Sequence, residues 1–515
     1  MRRSDEESDE TRAGEPVLTL DETEPLELPS GTPAAHLAEA ELATAGLIKR
    51  WMTAPGGESA TGADVSSPLG QVAWAMYEWA RNPYVLLITI YIFAPYFTTT
   101  VVGDPVRGQA LWGDIASYAG FIIAVLAPFL GAIADAGGRR KPWIAAFSVL
   151  VVVGCTMLWW TAPGAPSAVA IALTGYVVAT IGFEFATVFN NAMMPSLVPP
   201  EQLGRLSGTG WAVGYFGGLI CLMLMLVFAL ANADTGMTLA GIKPILGLDP
   251  ATGGGARASG PFSALWYVVL VLPMFLFVPD RPHLRPLGSA VGAGLAEVTH
   301  TLRALGSGGN ISRYLLAHLI YADGLIALFA FGGIYAIGIF GWSVYQIGLF
   351  GILLTIAGTF GALIGGWLDD RLGAKTVVLG ALIGLIATVI AILSISSDRI
   401  LFVVAVAPPT AGHLFASPGE HLYLVLGALA GVLAGPVQSA SRTLLVRLSP
   451  PDKVTEYFGL YALSSRLTAF VGPLTVGALT AWTASQRIGM SALVVIFIIG
   501  AALLAFVKVP KATLP

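Results

Sequence analysis

Three residues that could carry chemistry lie deep inside long apolar stretches of this sequence: Glu184, Asp323 and Arg466. A charged side chain in the middle of a membrane span costs about 2.5 kcal/mol or more, so one that is present usually lines a cavity or a transport path. Because burial penalises the charged form of a carboxyl group, Glu184 could bind and release a proton close to neutral pH. Glu184 is therefore the first candidate for proton coupling or for binding a substrate ammonium group, and Asp323 is the second.

Asn191 and Arg466 complete this candidate site. Asn191 lies seven residues after Glu184, so the two side chains project from the same face of a helix. Arginine stays protonated in proteins, so Arg466 would bind a carboxylate and would not carry a proton. It requires a counter-charge, which Glu184, Asp323 or an anionic substrate group could supply. The alternative for each is a static role, as a hydrogen-bonded structural acid or a fixed salt bridge.

Six weaker candidates accompany these four residues. Gln438 and Arg442 lie one helical turn apart, and gating is favoured over substrate binding for this pair. His318 is a lone histidine for which packing is the expected role. Glu78 and Asp114 lie near the ends of apolar segments, where an interfacial position would also explain them. The six are Asn190, Gln438, Arg442, His318, Glu78 and Asp114.

Membrane-spanning helices must position these residues. Of the 515 residues 55% are hydrophobic and only 11% are charged, whereas a soluble globular chain carries about 25% charged residues. Twelve apolar windows have the length of about 20 residues that crosses a bilayer, and a long polar connection divides them six and six. The predicted fold class is an all-α polytopic membrane protein. The windows are centred on 84–103, 111–134, 142–162, 167–192, 206–232, 261–279, 313–340, 346–368, 376–396, 421–446, 456–482 and 488–508.

Charge divides the chain into a tail and a membrane body. Residues 1–70 contain 14 acidic and 5 basic residues, and most of this tail has a composition typical of disorder. Within it, residues 34–53 could form an amphipathic helix on the membrane surface or a weak helix without that role, and a Gly/Ser/Ala linker follows. The predicted regions are the acidic cytoplasmic tail (1–70), an N-terminal six-helix bundle (71–279), a central cytoplasmic loop (280–312) and a C-terminal six-helix bundle (313–515).

The loops predict the orientation. Thirteen Lys and Arg residues lie in the loops that follow even-numbered segments, and five lie in the loops on the opposite side. Cytoplasmic loops carry the excess of basic residues, so both termini are expected in the cytoplasm. A composition rich in Ala, Gly and Arg favours a bacterial plasma membrane.

A short pattern occurs once in each half. GAIADAGGRRK covers 131–141 and GWLDDRLGAK covers 366–375, with corresponding positions 235 residues apart and Lys375 in the place of Arg140. Its glycine permits a close helix approach, and its aspartate and basic residues can pair with each other or with helix-end dipoles. We predict a polar latch that opens and closes as the halves rock; the alternative is a loop whose charges only fix topology. The latch residues are Gly131, Asp135, Gly138, Arg139, Arg140, Gly366, Asp370, Arg371, Gly373 and Lys375.

These motifs resemble a known family. The G-x-x-x-D-x-x-G-R-R/K loop is similar to that of the major facilitator superfamily, whose members have two six-helix pseudo-repeats. Other stretches resemble one branch, the vacuolar amino-acid effluxer-like permeases, and the resemblance covers residues 71–508. The sequence departs from that branch at Arg81-Asn82-Pro83, where Asn-Ser-x is usual. The resembling stretches are AWAMYEWARNPY (73–84), 182–218, 323–336 and 438–461.

The predicted function is secondary active transport by alternating access, coupled to protons. The resemblance implies small zwitterionic solutes such as amino acids, moved by efflux. A cation-coupled carrier for sugars, glycosides or organic anions is the alternative, and a non-transporting membrane sensor is the third reading. No metal-binding His pair, nucleophile elbow or phosphate-binding Gly-Lys loop is evident, so an enzyme is not expected. The expected partners are a small-molecule substrate, protons and the lipid bilayer, with no cofactor, metal or nucleic acid, in a monomer.

Overall fold

The computed structural model describes most of the membrane body and the segment that precedes it. The described residues are 49–231, 236–282, 284–286, 288–296, 309–342, 344–408, 415–467 and 471–509. The predicted disordered tail and nearly all of the predicted amphipathic helix over 34–53 lie outside them. The side chain of Arg466 also lies outside the description, although its backbone is helical.

Helices dominate the described residues, as expected for apolar segments that must satisfy every backbone amide within a bilayer. The N-terminal half contains α1 (Pro68–Pro83), α2 (Pro105–Gly137), α3 (Lys141–Met157), α4 (Ala168–Met193), α5 (Leu203–Phe228) and α6 (Gly254–Phe277). The C-terminal half contains α7 (Asn310–Phe340), α8 (Val344–Leu372), α9 (Ala374–Leu393), α10 (Pro418–Leu448), α11 (Val454–Leu467), α12 (Val471–Thr483) and α13 (Gln486–Ala505). Short 3₁₀ turns cover Leu158–Trp160, Met194–Ser196, Pro200–Gln202, Ile245–Gly247 and Pro250–Thr252.

Eleven helices within the described residues are long and apolar enough to span a membrane. The predicted eleventh segment corresponds to α11 and α12, which lie on either side of residues 468–470 and are each too short to be counted. The prediction of an all-α polytopic membrane protein is confirmed.

The first spanning helix begins 16 residues before its predicted window, at Pro68 instead of residue 84. Ser67 caps it by accepting a hydrogen bond from the Gly70 amide at 3.2 Å, and Pro68 follows at the first helical position, where its missing amide hydrogen is not needed. Beyond Pro83 the helix continues in wider π-helical turns over Tyr84–Tyr91 and Phe97–Val101. The first part of this span, α1, carries polar residues that lower its mean hydropathy, and the predicted window therefore began after it.

Glycines let the two halves approach each other closely. The main contacts between the halves are those of α2 with α11 and of α5 with α8. A Cβ added to Gly131 would lie 2.5 Å from the Thr455 carbonyl oxygen, and one added to Gly208 would lie 2.4 Å from that of Ala362. Backbone therefore meets backbone at the end of the bundle where the α2–α3 and α8–α9 turns lie, which we name the latch end.

The segment before α1 is ordered where a flexible linker was expected. The amide of Ala60 donates to the carbonyl of Val198 at 3.0 Å, and the amide of Ser66 donates to that of Leu197 at 3.0 Å. Val65 is buried between these contacts. Residues 60–66 are thereby held against the α4–α5 turn by backbone hydrogen bonds that composition does not encode.

A small hairpin occupies part of the connection between α9 and α10. Strands β1 (Arg399–Ile400) and β2 (Val404–Ala405) pair in antiparallel register, with Arg399 opposite Ala405. The short apolar run over 400–408, too brief to cross a bilayer, thus forms a hairpin at the end of the bundle opposite the latch.

Candidate functional site

A buried network of three charged side chains lies where the two halves meet. The carboxylate of Glu78 on α1 accepts a hydrogen bond from Nη1 of Arg442 on α10 at 2.6 Å. Its other oxygen accepts a hydrogen bond from Nε of Arg81 at 2.5 Å and forms an ion pair with Nη2 of Arg81, also at 2.5 Å. Glu78 is only 1% exposed. Both carboxylate oxygens are therefore occupied by guanidinium donors, one from each half of the protein.

Arg442 connects four helices. Besides Glu78, it donates from Nη1 to the side-chain oxygen of Asn191 on α4 at 2.9 Å. Its Nε donates to the hydroxyl of Ser207 on α5 at 2.9 Å, and Nη2 donates to the Ser207 carbonyl at 2.8 Å. Charge-assisted hydrogen bonds of this kind are the strongest in proteins. A side chain of the C-terminal half is thereby fixed to three helices of the N-terminal half.

Aromatic rings enclose this network. The Arg442 guanidinium lies 5.2 Å from the ring centroid of Trp74 and 5.8 Å from that of Trp211. The Arg81 guanidinium lies 5.2 Å from Phe183 and 5.7 Å from Trp211. Ring faces attract cations within about 6 Å, and more strongly where water is excluded. The rings stabilise both arginines without using their hydrogen-bond donors.

The first latch aspartate caps a helix of the other half. Asp135, near the end of α2, accepts from the hydroxyl of Thr455 at 2.5 Å and from the amide of Glu456 at 2.9 Å. These residues open α11. Arg140 is buried and donates to Asp135 at 3.0 Å and to the Thr455 hydroxyl at 2.8 Å. A carboxylate at a helix N-terminus satisfies free amides and interacts favourably with the helix dipole.

The second latch aspartate mirrors the first. Asp370, near the end of α8, accepts from the amides of Gly204 at 2.7 Å and Arg205 at 3.0 Å, which open α5 of the N-terminal half. Each half therefore caps one helix of the other. The expected equivalence of Lys375 and Arg140 does not hold, because Lys375 donates instead to the carbonyl of Ala505 at the end of α13.

Other basic residues of the latch end have separate roles. Arg447 on α10 forms an ion pair of 3.0 Å with Asp369, which is fully buried on α8. Arg371 lies over the ring of Trp367 at 3.8 Å, and Arg139 is exposed. Arg281 donates to the carbonyl of Pro451 at 3.0 Å and so adds a contact between the halves.

Burial, together with the nearby guanidinium of Arg140, lowers the pKa of Arg281 to about 10. Arg281 still carries its proton at neutral pH, so this contact between the halves does not titrate in the physiological range.

The sequence profile of a family described as "Vacuole effluxer Atg22 like" matches residues 115–514. The chain belongs to this family. YxiO of Bacillus subtilis (strain 168), an uncharacterised MFS-type transporter, is 25% identical over 448 residues, which cover 86% of this chain and 95% of the relative. Autophagy-related protein 22 of Cryptococcus neoformans var. neoformans serotype D (strain JEC21) is 25% identical over 344 residues, or 60% of this chain and 51% of the relative.

Solved structures of the major facilitator superfamily share the fold of this Atg22-like chain. The transporter FucP in the outward conformation superposes with a TM-score of 0.62 at 14% identity, over 86% of this chain and 99% of FucP. The proton:xylose symporter XylE gives 0.63 at 13% identity, over 86% of this chain and 96% of XylE. The chain is therefore a multi-pass membrane protein and an MFS-type transporter, as the sequence motifs indicated.

The four leading candidates of this Atg22-like chain lie on three helices, α4, α7 and α11. Asn191 joins the Glu78–Arg442 network, whereas Glu184 lies two turns along α4, about 10 Å away along the helix axis, and is half-buried. Asp323 is buried on α7, where a Cβ added to Gly472 of α12 would lie 2.4 Å from its carbonyl oxygen. The side chain of Arg466 lies outside the described residues.

The weaker candidates divide into packed and exposed positions. His318 stacks on Tyr461 with ring centroids 3.9 Å apart, and its Nδ1 lies 3.1 Å from the Ser464 hydroxyl. Gln438 donates to the hydroxyl of Tyr215 on α5 at 2.9 Å, across the two halves. Asp114 is exposed. His318 thus has the contacts of a packed residue, and Gln438 those of a link between halves.

Asn190 and Glu78 are more deeply buried than their positions suggested. The Asn190 carbonyl accepts from the Trp74 indole at 2.8 Å, and its side-chain amide has no hydrogen-bond partner among the described residues. Glu78, for which a merely interfacial position was considered, is buried, with its carboxylate between two arginines.

Sequence reasoning missed Arg81, Ser207, Thr455 and Asp369 as members of the polar contacts. Arg81 stood out only as a departure from the family pattern, within the stretch excluded from the first predicted window. A hydroxyl such as that of Ser207 or Thr455 carries no charge signal, so its role depends on a partner in the distant half. Asp369 adjoins a latch residue and could have been found from that position.

Replacing Gly131 with alanine is expected to weaken closure of the latch end. The new Cβ would lie 2.5 Å from the Thr455 carbonyl oxygen, so α2 and α11 must separate. Overpacking of this kind costs about 1–3 kcal/mol, and we expect at least a fivefold loss of transport in proteoliposomes. Gly137→Ala on the same helix is the control, because its Cβ would meet only the Ala290 side chain at 3.8 Å. Equal activities of the two variants would contradict this role of Gly131.

Proposed function

We propose that this transporter moves small zwitterionic solutes, such as amino acids, by alternating access coupled to protons. The observation that carries the proposal is the pair of reciprocal helix caps, Asp135 on α11 and Asp370 on α5. Both caps join the halves only at the latch end, so both must open if the halves rock. Such a pair suits a device that exchanges two discrete arrangements.

The charges of the interior support a zwitterionic substrate. Glu184 and Asp323 are acids within spanning helices, and Arg81 and Arg442 are buried arginines close to α4. Intramembrane charges of both signs can hold the ammonium and the carboxylate of an amino acid. A proton carried by Glu184 or Asp323 would couple the transport cycle to proton movement. We therefore propose both residues for the roles predicted from sequence, proton coupling or binding of the substrate ammonium group.

The family and the charges support a direction and a location. The family description names a vacuole effluxer, so efflux out of a compartment or cell is the proposed direction. The basic residues at the latch end support a cytoplasmic position of that end and of both termini, and the proposed location is a bacterial plasma membrane. The closed latch then corresponds to a state that is open toward the outside.

Proton movement in proteoliposomes with a trapped pH dye tests this proposal. The purified protein is challenged with pooled amino acids, then with pooled sugars and organic anions. We expect substrate-dependent proton movement with the amino-acid pool, lost at least tenfold in Glu184→Gln or Asp323→Asn, and loss of uptake in Arg466→Ala. Asp398→Asn, which neutralises an exposed acid beside the β1–β2 hairpin, is the control and should retain activity.

Each other outcome identifies a different function. Proton movement only with sugars or organic anions would replace the amino-acid proposal by the alternative carrier. Exchange of labelled amino acids without proton movement would retain the substrate class and remove the coupling. A folded protein that moves none of these solutes would favour a membrane sensor.

A further inference from the structure

We propose that Arg81 binds the carboxylate group of the substrate, an inference that rests on the proposed function for its biological substrate. The proposal begins from the donors of the two buried arginines. Nε of Arg81 donates to one oxygen of Glu78, and Nη2 forms an ion pair with the same oxygen; among the described residues no hydrogen bond is made by Nη1. Arginine carries five N–H donors in a rigid fork that matches a carboxylate.

Arg442 cannot take this role, because its contacts are already committed. Its three nitrogens contact Glu78, Asn191 and Ser207. Its side chain is 3% exposed, compared with 9% for Arg81. Removing Arg442 from its partners would leave several buried polar groups unsatisfied. Arg442 is therefore the fixed link between the halves, and Arg81 is the arginine with donors left for a ligand.

Aromatic rings of two helices lie against the guanidinium of Arg81. Phe183 and Trp211 lie 5.2 and 5.7 Å from its guanidinium carbon. Ring faces hold the cation without accepting its in-plane hydrogen bonds. The planar fork is thus positioned by α4 and α5 on one side and by Glu78 on the other.

Trp211 offers a second donor beside Arg81. Its Nε1 atom is buried and has no hydrogen-bond partner among the described residues. A buried donor without an acceptor costs about 1–3 kcal/mol, and a bound carboxylate could remove that cost by accepting from both groups. This indole is a second buried donor near Arg81 that a carboxylate ligand could satisfy.

Charge favours the same ligand. Glu78, Arg81 and Arg442 carry one negative and two positive formal charges, so the network is cationic as a whole. A carboxylate at Arg81 would balance it, whereas a neutral amide would not. Discrimination between an acid and its amide therefore distinguishes this site from a purely structural ion pair.

Ligand-dependent stabilisation of the detergent-solubilised protein provides the test. The unfolding midpoint is measured with L-amino acids, with their α-amides and with simple monocarboxylates, because a ligand of the folded state raises the midpoint. We expect the wild type to bind at least one free carboxylate at least tenfold more tightly than the matching amide. In Arg81→Gln that ratio should fall toward one, and Trp211→Phe should weaken carboxylate binding about threefold or more.

Two further variants keep the result interpretable. Arg81→Lys retains the charge without the fork and should preserve folding with intermediate affinity. Arg257→Gln removes an arginine that packs on Trp159 at 4.7 Å, outside the network, and should leave the ratio unchanged. The proposal would be overturned if Arg81→Gln kept the preference for a carboxylate over its amide, or if the wild type bound acids and amides equally.

The binding measurement also separates this inference from the proposed function. Carboxylate binding that needs Arg81, in a protein that moves no amino acids, would retain the site and remove the proposed substrate. Binding of monocarboxylates as well as amino acids would identify an organic-anion carrier with the same arginine. Amino-acid transport that is indifferent to Arg81→Gln, in both KM and kcat, would remove the site and retain the function.

Discussion

Arg442→Gln is expected to abolish transport and to destabilise the protein. The substitution leaves the Glu78 carboxylate paired with Arg81 alone. It also removes the guanidinium group that donates hydrogen bonds to Asn191 and Ser207. Breaking a buried ion pair by removing one member typically costs about 3–5 kcal/mol. Because the lost contacts join α10 to the N-terminal half, we expect at least a hundredfold loss of uptake. The measurements are uptake in proteoliposomes and the unfolding midpoint in detergent.

Arg447→Gln is the matched control. Arg447 lies on the same helix and also pairs with a buried aspartate, Asp369, but both partners belong to the C-terminal half. We expect it to lower stability while uptake per folded molecule stays within about threefold. If the two variants lose uptake equally, the effect of Arg442 is one of stability and not of a link between halves.

A double-mutant cycle sharpens this prediction. Glu78→Gln combined with Arg442→Gln should cost less than the sum of the single changes, because each single change already removes the contact between these two residues. Coupling energies of about 0.5–3 kcal/mol are typical of residues in contact. Additive effects would show that the 2.6 Å contact contributes no specific coupling.

Removing both latch carboxylates, in Asp135→Ala combined with Asp370→Ala, is expected to open the latch end. Each aspartate caps a helix of the other half, and a cap is worth about 1 kcal/mol. The two together correspond to about a 30-fold change in the ratio of closed to open states. The state in which the latch is closed and the opposite end of the bundle is open would become less populated. The step of the transport cycle that passes through this state should therefore become slow.

Labelling of a cysteine at the contact between halves measures this change. Ala362→Cys places a thiol on α8 at a fully buried position whose carbonyl faces Gly208. Native Cys155 and Cys221 are both buried and give a low background. Labelling should rise at least tenfold in the double variant and should not change with Asp398→Asn, an exposed acid. Unchanged labelling in the double variant would mean that glycine packing alone keeps the latch closed.

Local pattern anticipated the helices and the positions of the two latch aspartates, because both depend on residues close together in the chain. The repeat at 131–141 and 366–375 placed Asp135 and Asp370 at the ends of α2 and α8, where they lie. It did not show what each carboxylate contacts, because those partners are residues of the opposite half. Lys375 illustrates the limit, since its position in the repeat matches Arg140 while its contact is with α13.

The network around Glu78 was missed for a related reason. Hydropathy counts Glu78, Arg81 and Asn82 against a spanning helix, so the first window began after them. In the structure the charges of Glu78 and Arg81 are satisfied by each other and by Arg442, which is 364 residues from Glu78 along the chain. Polar groups that pair across a fold carry no local signal of burial, so only the three-dimensional contacts reveal them.

The glycine surfaces between the halves also affect how quickly the transporter can turn over. Ordering a long side chain at a contact costs about 0.5–1.5 kcal/mol of conformational entropy, and a glycine has no side chain to order. Gly131, Gly208 and Gly459 meet the backbone of the opposite half directly. Each closure therefore immobilises few side chains beyond those of the latch, and each opening releases few. Rocking across such surfaces therefore changes the conformational entropy little in either direction. The free-energy difference between the two states stays small enough for the binding energy of a small ligand to shift the balance.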